Sequence, residues 1–457
     1  MISNHSVPSN SQVASLTAAA VTEIPAPQDT DAKLNKHAET SYISFKIPSS
    51  IHYFGNGSIF GHNGTETRFD KVATDIMILC DGTRNMREIA DDIMNQYGWD
   101  DDREIIYDKI ETFIWTQLKI GNLERLDIPN KRKMSTTGIR GKQYPNRIVL
   151  EITNGCNLQC GHCFMESQKN GCMIPLEIID VLLKYEGLIH EIQITGGEPL
   201  IHPDFQKIVE RLNDKFTLIL MSNGTLIPKY NPKLFNCFSF VQITVYGYDR
   251  ESFLHVTGSD KLDDLLRGIE VLSKNGVNLQ IAIMLNKMNM GHLEDFVNVV
   301  TKHGASNIKI GTASPLGRAT ENMNEWIMTE EDLAIIGQKI TELHNRYKNI
   351  ANIYEWTDDY SDLKNGESIF DMPHCGAGFT HVCIDPKLRI RACQFLPSEK
   401  FILKTDLESL ADGHHEKIDD RLDELVDEIE AQGFNPANIC ALLEKIAAKD
   451  KQLRSEL

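Results

Sequence analysis

The sequence predicts an α/β protein: a parallel sheet of six strands covered by helices, preceded by a small winged-helix-like domain and followed by a helical extension. Three observations predict it. Beyond Ile148, apolar β-branched runs alternate with stretches of helical period, the pattern of repeated βα units. Ahead of them, residues 41–126 read as short strands and then three helices, and the last 45 residues carry apolar positions at helical spacing. A parallel sheet of this kind is either doubly wound or a partial barrel, and in both the chemistry collects at the C-terminal strand ends.

Composition bounds the function. The 457 residues have room for two or three domains, and a hydrophobic fraction of 41% excludes a wholly disordered chain. With 65 acidic against 47 basic residues the net charge is -18, which argues against chain-wide attraction to nucleic acid or anionic lipid. No apolar run of about 18 residues and no secretory signal pattern occurs, so the expected location is cytoplasmic, with no membrane partner. Ten cysteines are too sparse for a disulfide scaffold, and clustered ones in a reducing compartment point to metal or redox chemistry.

Residues 1–40, rich in Ser, Ala, Thr, Asn and Pro, are expected to be a disordered arm. Tyr42 to Ile47 alternates as a strand, and Pro48 closes it. Helices are expected over Lys71 to Leu79, ending at an Asp81-Gly82 turn; from Asn85, where Glu88 completes a capping box; and over about Asp101 to Leu118. Residues 127–146 have linker composition. The βα series then spans 147–347. Its strands are Ile148 to Thr153, Glu191 to Thr195, Thr217 to Met221, Phe240 to Tyr246, Asn278 to Leu285 and Asn307 to Gly311. Its helices are Leu176 to Tyr185, Phe205 to Lys215, Leu262 to Asn275, Leu293 to His303 and Glu330 to Tyr347. Residues 348–410 hold a second cysteine region, and 411–457 read as a helical hairpin.

Directly after the first strand of the series stands Cys156-Asn157-Leu158-Gln159-Cys160-Gly161-His162-Cys163. Three thiolates in one loop favour an iron-sulfur cluster or zinc. The number three decides between them, because structural zinc wants four protein ligands, whereas a 4Fe-4S cluster on three cysteines leaves one iron open.

This segment resembles the Cys-x3-Cys-x2-Cys signature of the radical S-adenosylmethionine (radical SAM) superfamily. The resemblance implies a partial (β/α)6 TIM-like barrel in which Cys156, Cys160 and Cys163 bind a 4Fe-4S cluster whose open iron chelates S-adenosylmethionine. Reductive cleavage of that cofactor would give a 5′-deoxyadenosyl radical, with an electron donor such as flavodoxin or ferredoxin as partner. Further strand ends match. Gly196-Gly197-Glu198 resembles the family's glycine-glycine-glutamate element, with the glycines admitting the methionine moiety and Glu198 accepting from its ammonium. Ser222-Asn223-Gly224 resembles its polar turn, Thr244 falls at the ribose-contacting hydroxyl, and Pro315-Leu316-Gly317-Arg318-Ala319 also resembles the family.

The segment Tyr42 to Leu126 resembles the leader-peptide recognition domain of peptide-maturation systems, which implies a precursor peptide bound by its leader as an added β-strand. The competing reading is a DNA-binding winged helix. Residues 42–126 hold 14 acidic and 9 basic residues, the wrong balance for contacting phosphates.

Cys375-Gly376-Ala377-Gly378, Cys383 and Cys393 resemble the opening of the auxiliary-cluster (SPASM or twitch) extension of radical enzymes that modify peptides, including sactipeptide thioether synthases. Leu388 and Ala392 stand where that pattern has glycine and proline, and Cys440 is the only thiol beyond. Two auxiliary clusters therefore cannot be assembled. One could form from Cys375 and Cys393 with Cys383 or Cys440; otherwise these are buried or free thiols. Core packing is the expectation for Cys80, Cys172 and Cys237.

The expected function is maturation of a ribosomally made precursor peptide by hydrogen abstraction at Cα, giving L-to-D epimerisation with Cys375, Cys383 or Cys393 returning a hydrogen atom. Thioether or carbon-carbon crosslinking is the alternative. A non-catalytic precursor-binding partner is the rival from another class, against which stand the three cysteines, Gly196, Gly197 and Glu198. No Gly-x-Ser-x-Gly elbow or Walker loop occurs, and His414-His415-Glu416 reads as an exposed polar turn.

Overall fold

The structure is a computed structural model that describes residues 41–62, 65–99, 103–142, 144–355, 380–391 and 393–395. The expected arm, the helical hairpin, Cys375, Cys440 and the His414-His415 pair lie outside the described residues. The chain divides into two compact units, one up to Asn146 and one beginning at Arg147.

In the first unit the elements run β1 (Tyr42–Phe45), β2 (Ser49–Phe54), β3 (Gly57–His62), β4 (Thr65–Phe69), α1 (Lys71–Leu79), β5 (Asp81–Asn85), α2 (Met86–Tyr97), α3 (Arg103–Ile120), β6 (Leu123–Leu126) and β7 (Ser135–Thr137). The Asp70 carboxylate starts α1 by accepting from Ala73 N–H at 2.7 Å. Asn85 and Glu88 form the expected capping box on α2, and Gly98 ends it in the left-handed region at φ 66°. Ile106, Ile110, Phe113 and Ile114 of α3 are buried in a core shared with Phe60, Phe69, Ile76 and Ile89. That core orders two sheets, β5-β1-β6 and β4-β3-β2-β7.

Two details correct the expectations. The Asp81-Gly82 pair is a strand rather than a turn, because Gly82 at φ 87° lets the backbone of Asn130 approach, and Asn130 N–H donates to Gly82 O at 2.9 Å. A β-carbon there would sit 2.3 Å from Asn130 O. The segment of linker composition likewise contains β7, which pairs parallel to β2, while the His52 ring bridges Thr137 Oγ1 at 3.0 Å and Tyr144 O at 2.9 Å. Backbone and imidazole hold this strand without any apolar side chain, so hydropathy could not reveal it.

In the second unit the elements are β8 (Arg147–Glu151), α4 (Ile178–Leu183), β9 (Glu191–Thr195), α5 (Phe205–Leu212), β10 (Thr217–Ser222), β11 (Phe238–Val245), α6 (Arg250–Thr257), α7 (Leu262–Lys274), β12 (Leu279–Leu285), α8 (Leu293–Lys302), β13 (Asn307–Thr312), α9 (Met323–Trp326), α10 (Glu330–Tyr347), β14 (Asn352–Glu355), β15 (His381–Ile384) and β16 (Ile390–Arg391). They build one sheet in the order β14-β13-β12-β11-β10-β9-β8-β15-β16, parallel except for the final hairpin strand. The six expected strands are its centre. The reading missed β14 and the β15-β16 hairpin, which are too short to show a period.

Alternation divides the sheet's two faces. Ile148, Leu150, Ile192, Ile194, Leu220, Val241, Ile243, Ile281, Ile283 and Ile310 form one buried aliphatic face. In the same registers, Glu151, Gln193, Thr195, Gln242, Thr244, Gln280 and Lys309 fall on the other. A barrel filled only for stability carries branched aliphatics inside. Amides, hydroxyls and charges there mark a surface built to meet a polar ligand.

Candidate active site

The loop that leaves β8 is held by its backbone. Thr153 Oγ1 accepts from Gly155 N–H at 2.9 Å and donates to Cys172 O at 2.9 Å, and Cys156 N–H donates to Gln168 O at 2.8 Å. On one side, Gln159 and Gly161 N–H donate to the last turn of α6, at Thr257 O and Val256 O, each 2.9 Å. On the other, Arg318 N–H donates to Cys163 O at 3.1 Å, and its guanidinium reaches Cys160 O and Ser167 O, both at 2.9 Å. Gly317, at φ 55°, passes so close that a β-carbon would lie 2.5 Å from Cys163 O. These contacts explain the Pro-Leu-Gly-Arg-Ala element: it braces the cysteine loop from behind.

Cys156 and Cys160 are buried and Cys163 is half-buried. The Cys156 sulfur accepts from Leu158 N–H at 3.4 Å and from Asn223 Nδ2 at 3.8 Å. Burial, and then the Glu198 carboxylate, pushes the Cys156 thiol up to about 12. Burial and then Cys163 push Cys160 well above the ordinary thiol value. Thiols in such a place become thiolates only when bound cationic metal offsets the cost. Soft sulfur donors, N–H groups aimed at sulfur and a low-dielectric seat together fit an iron-sulfur centre.

The Gly-Gly-Glu turn after β9 is stitched to the same loop, with Gly197 N–H on Thr153 O and Glu198 N–H on Gly155 O, both at 2.8 Å. A β-carbon on Gly196 would meet Thr153 O at 2.1 Å, and one on Gly197 would meet Gly155 O at 2.1 Å. The glycines are therefore required first by the approach of two backbones. Glu198 is tied into the same frame by its side chain. It is fully buried, and its carboxylate accepts from Leu200 N–H at 3.0 Å, Ser222 Oγ at 2.8 Å and Asn223 N–H at 2.7 Å. Burial pushes it up to about 7 against those three hydrogen bonds. Glu198 thus clamps the end of β9 to the end of β10. Ser222 and Asn223 belong to that clamp, and Asn223 Nδ2 also reaches Asn157 Oδ1 at 2.9 Å inside the cysteine loop.

Thr244 is half-exposed on the polar face of β11, two residues before Tyr246. Burial, and then the three cysteines, push the Tyr246 phenol well up, so it stays a neutral hydroxyl beside them. The His162 ring lies 5.4 Å from that of Tyr246 and 5.6 Å from that of Trp326. Burial, reinforced by Arg318, holds His162 at about 4 and therefore neutral. Sequence reasoning passed over Tyr246 and Trp326. An aromatic two residues after Thr244 was the only available signal for the first, and nothing in the spacing points to the second.

Among the described residues, no group of three metal-ligating side chains forms around Cys383 and Cys393, and Cys375 lies outside them. Cys383 on β15 is fully buried, and its thiol donates to Glu151 Oε1 at 3.2 Å, with Arg391 Nη2 at 2.6 Å from the same oxygen. Burial and the adjacent Glu151 push this thiol up, so it remains S–H. Leu388, in the glycine position of the resembled pattern, sits at φ 62° in the β15-β16 turn, where Asp385 Oδ1 accepts from Lys387 and Arg389 N–H. The turn shape persists although a leucine supplies it. Cys393 is half-buried, and the Phe395 ring lies tilted 4.8 Å from that of Phe164, the residue after Cys163. Cys80 is in the core as expected, whereas Cys237 is half-exposed and Cys172 is exposed with its thiol 3.4 Å from Asn154 Oδ1, because it lies on the loop's return segment.

The buried Glu151–Arg391 pair carries a prediction of its own. Arg391→Ala leaves a carboxylate without its cation and is expected to cost about 3 kcal/mol, read as a lower thermal midpoint. Glu151→Met with Arg391→Met together should recover most of that loss.

Residues 150–300 match the family described as "Radical SAM superfamily". They form a radical SAM domain. The antilisterial bacteriocin subtilosin biosynthesis protein AlbA of Bacillus subtilis is 23% identical over 357 residues, 72% of this chain and 72% of AlbA. Mycofactocin maturase MftC of Mycolicibacterium smegmatis is 27% identical over 285 residues, 58% of this chain and 68% of MftC. In fold, SuiB of Streptococcus suis, solved with S-adenosylmethionine, aligns at TM-score 0.55 and 14% identity over 79% of this chain and 85% of SuiB. SuiB with its precursor peptide SuiA aligns at 0.54 and 13% identity, over 80% and 88%. The chain is a radical SAM enzyme, and its cofactors are a 4Fe-4S cluster and S-adenosylmethionine. Among the described residues, no helix is long and apolar enough to cross a membrane.

Proposed function

We propose that this enzyme modifies a ribosomally made precursor peptide, with Cys156, Cys160 and Cys163 as the cluster ligands. When bound, cluster and cofactor supply a 5′-deoxyadenosyl radical that takes hydrogen from unactivated carbon. The chain's own residues then have distinct tasks. Arg318, Gly317 and the Gly-Gly-Glu turn keep the three sulfurs in place. Tyr246 and Thr244 would offer neutral hydroxyls to the cofactor's ribose, and the backbone of Gly196 and Gly197, rather than the Glu198 carboxylate, would hold its amino-acid end. Gln193 and Gln242 on the polar face offer amides that match a peptide backbone.

The observation that carries a peptide substrate is the similarity to AlbA, which runs over 357 residues and so extends well beyond the radical SAM domain. The first unit is the candidate leader-binding domain, through strand addition to a sheet edge. Backbone of residues 130–132 already lies along β5, through Asn130 N–H to Gly82 O and Arg132 N–H to Asp81 O. Strand β6, at the other end of the same sheet, is the edge offered to a leader.

Between the two outcomes, crosslinking becomes the leading reading. Epimerisation needs a thiol that reaches the substrate radical, and Cys383 is sealed under Glu151 and Arg391. Half-buried Cys393, on the segment that docks against Phe164, keeps epimerisation as the second reading. Incubating the enzyme with its precursor in D2O separates them: a loss of about two mass units per modification indicates crosslinking, and a gain of about one indicates epimerisation. An unchanged peptide mass, with cofactor turnover intact, would defeat the peptide reading.

A further inference from the structure

The back of the cysteine loop holds two polar groups that nothing in the mechanism uses. Arg318 spends its Nε and Nη1 on Cys160 O and Ser167 O, each at 2.9 Å. Its Nη2 is buried and has no partner among the described residues, and the same is true of the hydroxyl of Ser167, a residue only 4% exposed. The residues Arg318 and Ser167 are among those lining an open pocket of about 330 Å³, together with Gln159, Gly161, Gln168 and Lys169. The lining has two cations, one hydroxyl and two amides, and no acid. Leaving a guanidinium N–H and a hydroxyl buried and unmatched costs about 1–3 kcal/mol each, which an incoming acceptor recovers. The acceptor that satisfies a guanidinium edge, an ammonium and a hydroxyl at once is an oxyanion.

We propose that this pocket binds a carboxylate presented by an acidic one-electron carrier protein. Three features select that occupant. The chain carries a net charge of -18, so a pocket whose only charged lining residues are the cations Lys169 and Arg318 is a local exception and gives an acidic partner a defined place to land. Gln159 and Gly161, which lie between the cysteines, form part of its wall, so a partner seated there comes within a few residues of all three sulfurs. Arg318 joins pocket and loop directly through Cys160 O. The single electron passes from the reduced carrier to the oxidised cluster, and no bond is made or broken in that step. The proposal rests on the radical SAM domain holding its cluster, and is independent of the substrate.

The test uses the full chain with its cluster reconstituted without oxygen, and reads bleaching of the cluster's visible absorbance by stopped flow. Reduced ferredoxin or flavodoxin is one reductant and methyl viologen radical cation the other. Lys169→Glu is expected to slow reduction by the protein carrier about tenfold while leaving the viologen rate unchanged, and Ser167→Ala to slow it a few-fold. In the wild type, inorganic phosphate should inhibit the carrier more than chloride at equal ionic strength. Equal carrier rates in wild type and Lys169→Glu overturn the proposal. Equal rates together with phosphate binding would assign the pocket to a free anion, and also overturn it. Loss of peptide modification with normal carrier rates would count against the peptide reading alone.

Discussion

Cys160→Ala is expected to leave the fold intact and to abolish the cluster, lowering 5′-deoxyadenosine formation at least about a thousandfold, or roughly 4 kcal/mol in barrel chemistry. The side chain is 8% exposed and only its sulfur is removed, so the loop keeps its backbone bonds, including Cys160 O with Arg318 Nε. Two remaining sulfurs cannot seat a cluster that uses three. Cys156→Ala and Cys163→Ala should behave alike, and Cys172→Ala, an exposed thiol outside the triplet, should not. Iron content and visible absorbance after oxygen-free reconstitution give the answer without any substrate. Full iron loading in Cys160→Ala, or zinc in the wild type, ends the assignment.

Gly197→Ala should be nearly as damaging although it removes no chemical group. The added β-carbon would stand 2.1 Å from Gly155 O and 2.7 Å from its carbonyl carbon, and these are backbone atoms that cannot swing aside. Relief requires parting the 2.8 Å bonds that join Gly197 to Thr153 and Glu198 to Gly155. An overpacked site of this kind costs about 3 kcal/mol, and here the displaced segment is the one that leads into Cys156. The expected result is a lowered thermal midpoint together with poor cluster retention. Gly187→Ala is the control. That glycine has φ 77° and nothing within 4 Å of a β-carbon, so it should lose only the roughly 1 kcal/mol of left-handed strain and keep its iron. If Gly197→Ala matches wild type in both readouts, the stitch between turn and loop does not hold the site.

Much of the second unit was legible because its signals are local. The six central strands agree with their apolar runs to within a few residues, since each buries Ile, Leu or Val at every second position against helices. The capping box at Asn85 and Glu88 was equally plain, because a cap is decided within four residues. The cysteine triplet and its companion motifs were readable for the same reason. Roles were less readable than positions. Glu198 looks in sequence like a ligand to a cofactor, yet three internal donors claim its carboxylate. Cys383 looks like a reactive thiol, yet a carboxylate 232 residues earlier in the chain takes its proton's hydrogen bond.

The amino-acid sequence alone therefore determined the order of βα units, the place of the cysteine triplet after the first of them, and the class of enzyme. Folding decided which of those side chains face a ligand and which face each other. It closed β5 with residues 130–132, extended the sheet with β14 and β15, braced the cysteine loop with Arg318, and left two polar atoms behind it without partners among the described residues. The physical reason is range. Helix period, strand alternation and caps are settled between neighbours along the chain, whereas burial and hydrogen-bond saturation depend on groups that meet only after the chain has closed on itself.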